Sequence, residues 1–302
     1  MKLKFLIISL LVCIGCSMGY AKKSALLIGI GSYNTESTGW DKIHGDNDVD
    51  LLTKKLKSKG FSVQSLKNSN ATKKNILNAL TKLVNTSKSG DIVYLHFSGH
   101  GQLIKDFNND EKDDYDQSFV CYDACISPKL KLGKVAYKGQ NHLIDDELFP
   151  YINNLKKKVG RNGSVMVIFD SCYSEDAVRG EIKDDPDPES SVEWMGSVRG
   201  SDVKFELNKT AENFLRKIPK PGQFSSSGGR VTVISACERD RRNYECKEKR
   251  SGKQYGSLSY SVGMLLDNDI PMGQWGDFFS DGRYKNLKVF RSTQHPQVQV
   301  YN

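Results

Sequence analysis

Two apolar runs constrain this chain more than anything else in it, because each stops abruptly at chemically reactive residues. Around Leu95–Gly101, LHFSGHG, the apolar positions Val93, Leu95 and Phe97 alternate up to Ser98-Gly99-His100-Gly101. Around Met166–Ser174, MVIFDSCYS, the residues Val165, Val167, Ile168 and Phe169 run into Asp170-Ser171-Cys172. Short apolar runs that end at a Gly or polar cluster predict buried strands of an α/β sheet. In open α/β sheets the reactive groups lie just beyond the carboxyl ends of the strands. His100 and Cys172 are therefore expected at one sheet edge, leaving neighbouring strands. A thiol beside an imidazole is an activated nucleophile, since the thiolate attacks and the histidine moves protons. Neither residue says much alone: a single Cys after a strand is usually packed core.

The rest of the chain supplies the alternation such a sheet needs. Ser24–Ile30 predicts the first strand, and Asp46–Lys59 an amphipathic helix with Val49, Leu52 and Leu56 on one face, ended by Gly60. Phe61–Leu66 predicts the second strand, and Thr72–Val84 a helix capped by Thr72 with Ile76, Leu80 and Leu83 inward. Later strands are expected at Ser118–Tyr122 and Val231–Ala236, later helices from Ile144 to near Leu155 and at Ser257–Leu266, and an extended end at Gln294–Tyr301. A βαβαβ order implies a mostly parallel sheet with helices on both faces. Glu175–Gly229 is long, polar and rich in Gly, Ser, Pro and charge, which predicts a flexible loop with at most a short helix at Ala211–Lys217.

The 302 residues suit one large α/β domain with insertions, or two small domains. Net charge is +8; without Lys2 and Lys4 it is 42 basic against 36 acidic residues, or +6. The lysines are scattered and no RNA or DNA motif accompanies them, so they read as solvated surface and no nucleic-acid partner is expected. Met1–Ala21 reads as an export leader, with Lys2 and Lys4 before the apolar Phe5–Ile14 and small residues at Gly19 and Ala21. The mature chain, 22–302, is then expected to be secreted or held in the periplasm or cell envelope. An alternative takes Ile14-Gly15-Cys16 as a lipoprotein signal ending at residue 15, with Cys16 lipidated; a membrane partner follows only in that case. Nothing later is apolar enough to span a bilayer. Of seven cysteines, Cys121, Cys125, Cys172, Cys237 and Cys246 lie beyond the leader. An odd number in an exported chain leaves one thiol free, consistent with Cys172, while the other four are open to disulfides of unspecified pairing. Beyond the leader no two cysteines stand as C-x-x-C, so a zinc or dithiol redox site of that kind is not expected in the mature chain.

The order S-G-H-G then D-S-C-x-S resembles the caspase-like cysteine peptidases, and the metacaspases and their bacterial relatives in particular. Gly45-Asp46-Asn47-Asp48-Val49 is similar to the metacaspase segment on the first helix, and Ile144–Leu148 to its I-x-D-D-E-L. Asp114-Tyr115-Asp116 through Tyr122-Asp123 resembles its acidic run, with Cys121 where proline is common. Ser235-Ala236-Cys237, Gly256–Tyr260 and Gln294–Gln297 resemble three further family segments. The resemblance implies a three-layer αβα caspase-like fold with a mostly parallel central sheet, and a cysteine endopeptidase. In that mechanism Cys172 attacks, His100 handles protons, and the N–H groups of Gly101 and Cys172 hold the oxyanion; no third orienting residue is evident. It also implies a substrate pocket at Asp48, Ser98 and Asp170. Two carboxylates there suit protein or peptide substrates with Lys or Arg at the cleaved bond. Read alone, Asp48 is equally a helix first-turn carboxylate, and Asp170 a strand-end group bonding loop amides.

No cofactor is required by that chemistry. The family's paired aspartates make Ca²⁺ an expected activator, at Asp116, Asp145 and Asp146 with Asp113 and Asp114 behind them; Asp145 equally reads as a helix cap. The 175–229 segment leaves the sheet just after Cys172 and carries basic residues from Arg179 to Lys220, Arg199 among them, so self-cleavage within it is expected. Tyr173 and Glu175 stand where the family usually has His and Gly. Those departures permit the alternative of a catalytically weak pseudoenzyme or a surface-anchored binding module.

Overall fold

The computed structural model describes residues 21–302 except 107, 110, 112, 133–134, 174–187, 202, 206–222 and 240. The leader and the Ala211–Lys217 helix fall outside the described residues. In chain order the main elements are β1 (Lys23–Gly29), α1 (Gly45–Ser58), β2 (Ser62–Lys67), α2 (Lys73–Thr86), β3 (Ile92–Ser98), β4 (Gly101–Lys105) and β5 (Tyr115–Val120). They continue with β6 (His142–Ile144), α3 (Asp145–Val159), β7 (Ser164–Asp170), β8 (Val192–Val198), β9 (Arg230–Ser235), β10 (Tyr244–Glu248) and β11 (Gln254–Gly256). The chain closes with α4 (Ser257–Asp267), α5 (Trp275–Ser280) and β12 (Gln297–Tyr301).

Six strands form the central sheet in the order β12-β9-β7-β3-β1-β2. All neighbours are parallel except β12, which runs antiparallel to β9 at one edge. The inner strands are apolar on both faces because both faces are covered. Leu26, Ile28, Val93, Leu95, Val165 and Val167 pack with Ile76 and Leu80 of α2 and Ile152 and Leu155 of α3. Their sequence neighbours Ala25, Leu27, Tyr94, Met166 and Ile168 pack instead with Leu52 and Leu56 of α1, Leu258 and Val262 of α4, and Trp275 of α5. The result is the expected three-layer αβα architecture. Thr72 caps α2 as expected, its side chain accepting from Asn75 N–H. Among the described residues no helix is long and apolar enough to cross a membrane.

Two small antiparallel sheets, β4-β5-β6 and β8-β10-β11, stand beyond the carboxyl edge of the main sheet. They overturn one expectation. Glu175–Gly229 is not wholly loop: β8 lies inside it, and Arg199 at its end has no exposed surface. Its partner β10 is a distant part of the chain, so local composition held no sign of the ladder. Strands β4, β10 and β11 and helix α5 are likewise additions that the sequence reading does not contain. All five cysteines beyond the leader are buried and none is in a disulfide, so the pairings left open by composition are not formed.

Candidate active site

The site is built where β3 and β7 end. Ser98 and Asp170 are the last paired positions, and Gly99 N–H donates to Asp170 O at 3.3 Å. His100 and Cys172 each follow two residues later, at the same sheet edge. The His100 ring stacks on Trp40, centroids 4.9 Å apart, and its main-chain N–H donates to Tyr33 Oη at 3.1 Å. His100 Nε2 lies 3.0 Å from the main-chain oxygen of Asp41. A carbonyl only accepts, so that geometry assigns the hydrogen to Nε2 and leaves Nδ1 as the basic nitrogen. Nδ1 is buried without a hydrogen-bond partner. Burial lowers the pKa to about 4, despite the Asp41 carbonyl, so the ring is neutral at pH 7. The third, orienting group is thus a backbone carbonyl, which no side-chain pattern announces.

At the other half of the site, two N–H groups converge on one oxygen. Cys172 N and Gly101 N donate to the main-chain oxygen of Arg199, at 2.8 and 3.2 Å. Glycine is required on both sides of this approach. A Cβ on Gly101 would stand 2.4 Å from Cys172 O, and one on Gly200 2.5 Å from the same atom. The flanking chain is extended across the edge like an added strand. Val192–Val198 pairs with β10, Arg199 N–H donates to Asn243 O at 3.0 Å, Gly200 bridges to Gly101, and Phe205 N–H donates to Leu103 O at 2.9 Å. Cys172 Sγ donates to Arg241 O at 2.7 Å, and Cys237 Sγ to the same oxygen at 3.2 Å. A groove of about 390 Å³ lies alongside, lined by Trp40, Asp41, His100, Ser197 and Gly200.

The Arg199 side chain fills a buried acidic pocket. Nη1 meets Asp48 Oδ2 at 2.8 Å, Ser98 Oγ at 2.5 Å and Asp170 Oδ2 at 3.7 Å, and Nη2 meets Glu245 Oε1 at 2.8 Å. Burial opposes the guanidinium charge, but Asp48, Asp170 and Glu245 outweigh it and hold the pKa above the ordinary value. Burial raises Glu245 too, yet Arg199 and His44 prevail and bring it to about 2. Burial pushes Asp48 upward while Arg199 draws it back. Asp48 bonds none of its own helix amides; Ser98 Oγ and Gly256 N donate to it at 2.6 and 3.1 Å. Asp170 chiefly organises the surrounding loops, accepting from Ser259 N, Ser259 Oγ and Asn243 Nδ2 at 2.7, 2.6 and 2.7 Å. Gln294 Nε2 in turn donates to Asn243 Oδ1 at 2.8 Å. The structure therefore places Asp48, Ser98 and Asp170 together. It adds Glu245 and Asn243, which the sequence reading missed because their partners are remote in the chain.

Asp116 on β5 and Asp145 and Asp146 at the start of α3 each bring a carboxylate oxygen within 4.8 Å of the others. Asp145 Oδ1 is buried with no hydrogen-bond partner. Burial, with Asp146 and Glu111 nearby, raises the Asp145 pKa to about 8. A hard cation that wants several oxygens fits this donor set and would restore the charged form. Asp113 pairs with Arg239 at 3.2 Å and Asp114 with Lys105 at 3.4 Å, so neither joins the cluster. Asp145 and Asp146 line a cavity of about 520 Å³ together with Tyr173 and Cys237.

Residues 22–261 match the family model described as Caspase domain. The chain belongs to the caspase-domain family. This caspase-domain chain is similar to curated metacaspases. It is 28% identical to metacaspase-1 of Plasmodium falciparum over 238 residues, covering 70% of this chain and 34% of that protein. It is 33% identical to metacaspase-1B of Aspergillus fumigatus over 161 residues, covering 49% and 35%. Against metacaspase-1A of Aspergillus oryzae the figures are 26% over 269 residues, covering 79% and 59%. The chain thus spans about a third of the first two relatives' length. Among solved structures, a Geobacter sulfurreducens protein matches with a TM-score of 0.61 at 18% identity, over 92% of this chain and 93% of that one. Caspase-1 of Spodoptera frugiperda matches with a TM-score of 0.52 at 12% identity, over 93% and 88%. These two likenesses concern the fold.

Proposed function

We propose that this caspase-domain protein is an endopeptidase that cleaves after a basic residue through Cys172 and His100, and that the Arg199–Gly200 bond is its own first substrate. One observation carries the reading: the Arg199 oxygen lies on the N–H groups of Cys172 and Gly101 while its guanidinium lies among Asp48, Asp170 and Glu245. That is the posture a substrate residue would take on either side of the reacting carbonyl.

In the proposed reaction the Cys172 thiol leaves Arg241 O, gives its proton to His100 Nδ1, and the sulfur attacks the carbonyl carbon. Negative charge collects on the oxygen facing the N–H groups of Gly101 and Cys172, which need no reorganisation to receive it. The C–N bond breaks as His100 returns the proton to the leaving amine, and a thioester remains. Water, deprotonated by the same histidine, then frees the carboxylate and restores the thiol. In an acidic pocket a basic side chain compensates carboxylates that would otherwise be buried unpaired, whereas an acidic one would add to their repulsion. Asp116, Asp145 and Asp146 would hold Ca²⁺, which would supply positive charge behind the Cys172 turn. The complete burial of Arg199 favours a second reading, a chain locked by its own arginine that binds without cutting.

Fluorogenic peptides that differ only in Arg or Asp at the cleaved position separate these readings. The proposal expects hydrolysis after Arg and a rate at least about a hundredfold lower after Asp. Equal rates, or hydrolysis of neither peptide, would reject it.

A further inference from the structure

Arg199 meets its pocket along both edges of the guanidinium, and different residues hold the two edges. Nη1 faces Asp48 and Ser98. The opposite edge, Nε and Nη2, donates to the single oxygen Oε1 of Glu245 at 3.2 and 2.8 Å. Glu245, on β10, has no exposed surface. A residue outside the occupying segment holds it as well: His44 N–H donates to Oε1 at 2.8 Å, and His44 Nδ1 lies 2.8 Å from Oε2. Ser197 Oγ donates to Oε2 at 3.0 Å.

We propose that Glu245 makes this pocket select arginine over lysine at the cleaved position, an inference that rests on reading Arg199 as a substrate-like occupant. A lysine ammonium is one compact charge with no Nε–H edge. Seated among Asp48, Ser98 and Asp170, it leaves Glu245 with its His44 and Ser197 bonds but without the guanidinium, and a buried carboxylate that loses a charged donor is penalised. Arginine reaches both walls at once. A site built to bond a group rejects the analogue that lacks it, so Arg should exceed Lys by about tenfold or more.

The test is kcat/KM on paired peptides with Arg or Lys at the cleaved position, for wild type and Glu245→Gln, with melting temperatures as a folding control. Wild type should prefer Arg by about tenfold or more, and Glu245→Gln should bring the ratio within about threefold of unity, chiefly by raising KM for the Arg peptide. Should Glu245→Gln fail to fold, Arg199→Lys in a Cys172→Ala chain decides. It should lower the melting temperature by several degrees, and a change under about 1 °C would overturn the inference. Equal Arg and Lys rates in wild type, or an Arg preference that survives in folded Glu245→Gln, overturn the Glu245 assignment and leave the basic pocket standing. Hydrolysis of neither peptide by wild type overturns the pocket reading, and this inference with it.

Discussion

The neighbours of His100 suit it to the base role proposed for it. The Asp41 carbonyl takes the Nε2 hydrogen, Trp40 and Tyr33 flank the ring, and burial holds it neutral. Its pKa in the fold lies below its unfolded value, so this group costs stability as pH falls from about 6.5 toward 4 and costs nothing above. His100→Ala and Cys172→Ala should each lower peptide hydrolysis by about a thousandfold or more while each chain still melts cooperatively. Measured kcat/KM with the melting curve checks this, and near-wild-type turnover by either folded variant would reject the dyad. The two reactive residues were legible because each ends a strand. The groups around them were not: the orienter of His100 is a main-chain oxygen, and the pocket glutamate Glu245 has partners 201 and 46 residues away, so neither leaves a mark on local pattern.

The helices and main-sheet strands follow from periodicity and caps, and their sequence boundaries fall within a few residues of the structural ones. What local pattern did not hold was helix α5 and, apart from β5, the strands of the two small antiparallel sheets. Their ladders join distant segments, and β8 lies within a long polar stretch whose partner strand is far along the chain. The α3 start shows a place where local pattern left two readings open. Asp145 reads equally as a helix cap and, through the family resemblance, as a cation ligand, and the structure places it beside Asp146 and Asp116 with carboxylate oxygens within 4.8 Å of one another. Calcium binding predicts a shift. Millimolar Ca²⁺ should raise the melting temperature of the Cys172→Ala chain by several degrees, and Asp145→Ala/Asp146→Ala should abolish the rise. Equal melting in calcium and in chelator would remove the metal from the account.

At the scale of the whole molecule, the segment after the nucleophile is part of the site. It returns through β8, presents Arg199 to the pocket, and runs on beside β4. In the proposed reading the fold holds one of its own peptide bonds where a substrate would lie, and a cut there would leave Arg199 at a new chain end on β8. The most direct test incubates purified wild-type and Cys172→Ala chains side by side, with and without calcium, and identifies every new amino terminus. The account predicts a fragment beginning at Gly200 from wild type and none from Cys172→Ala. Absence of that fragment from wild type, or its appearance in both chains, would contradict it.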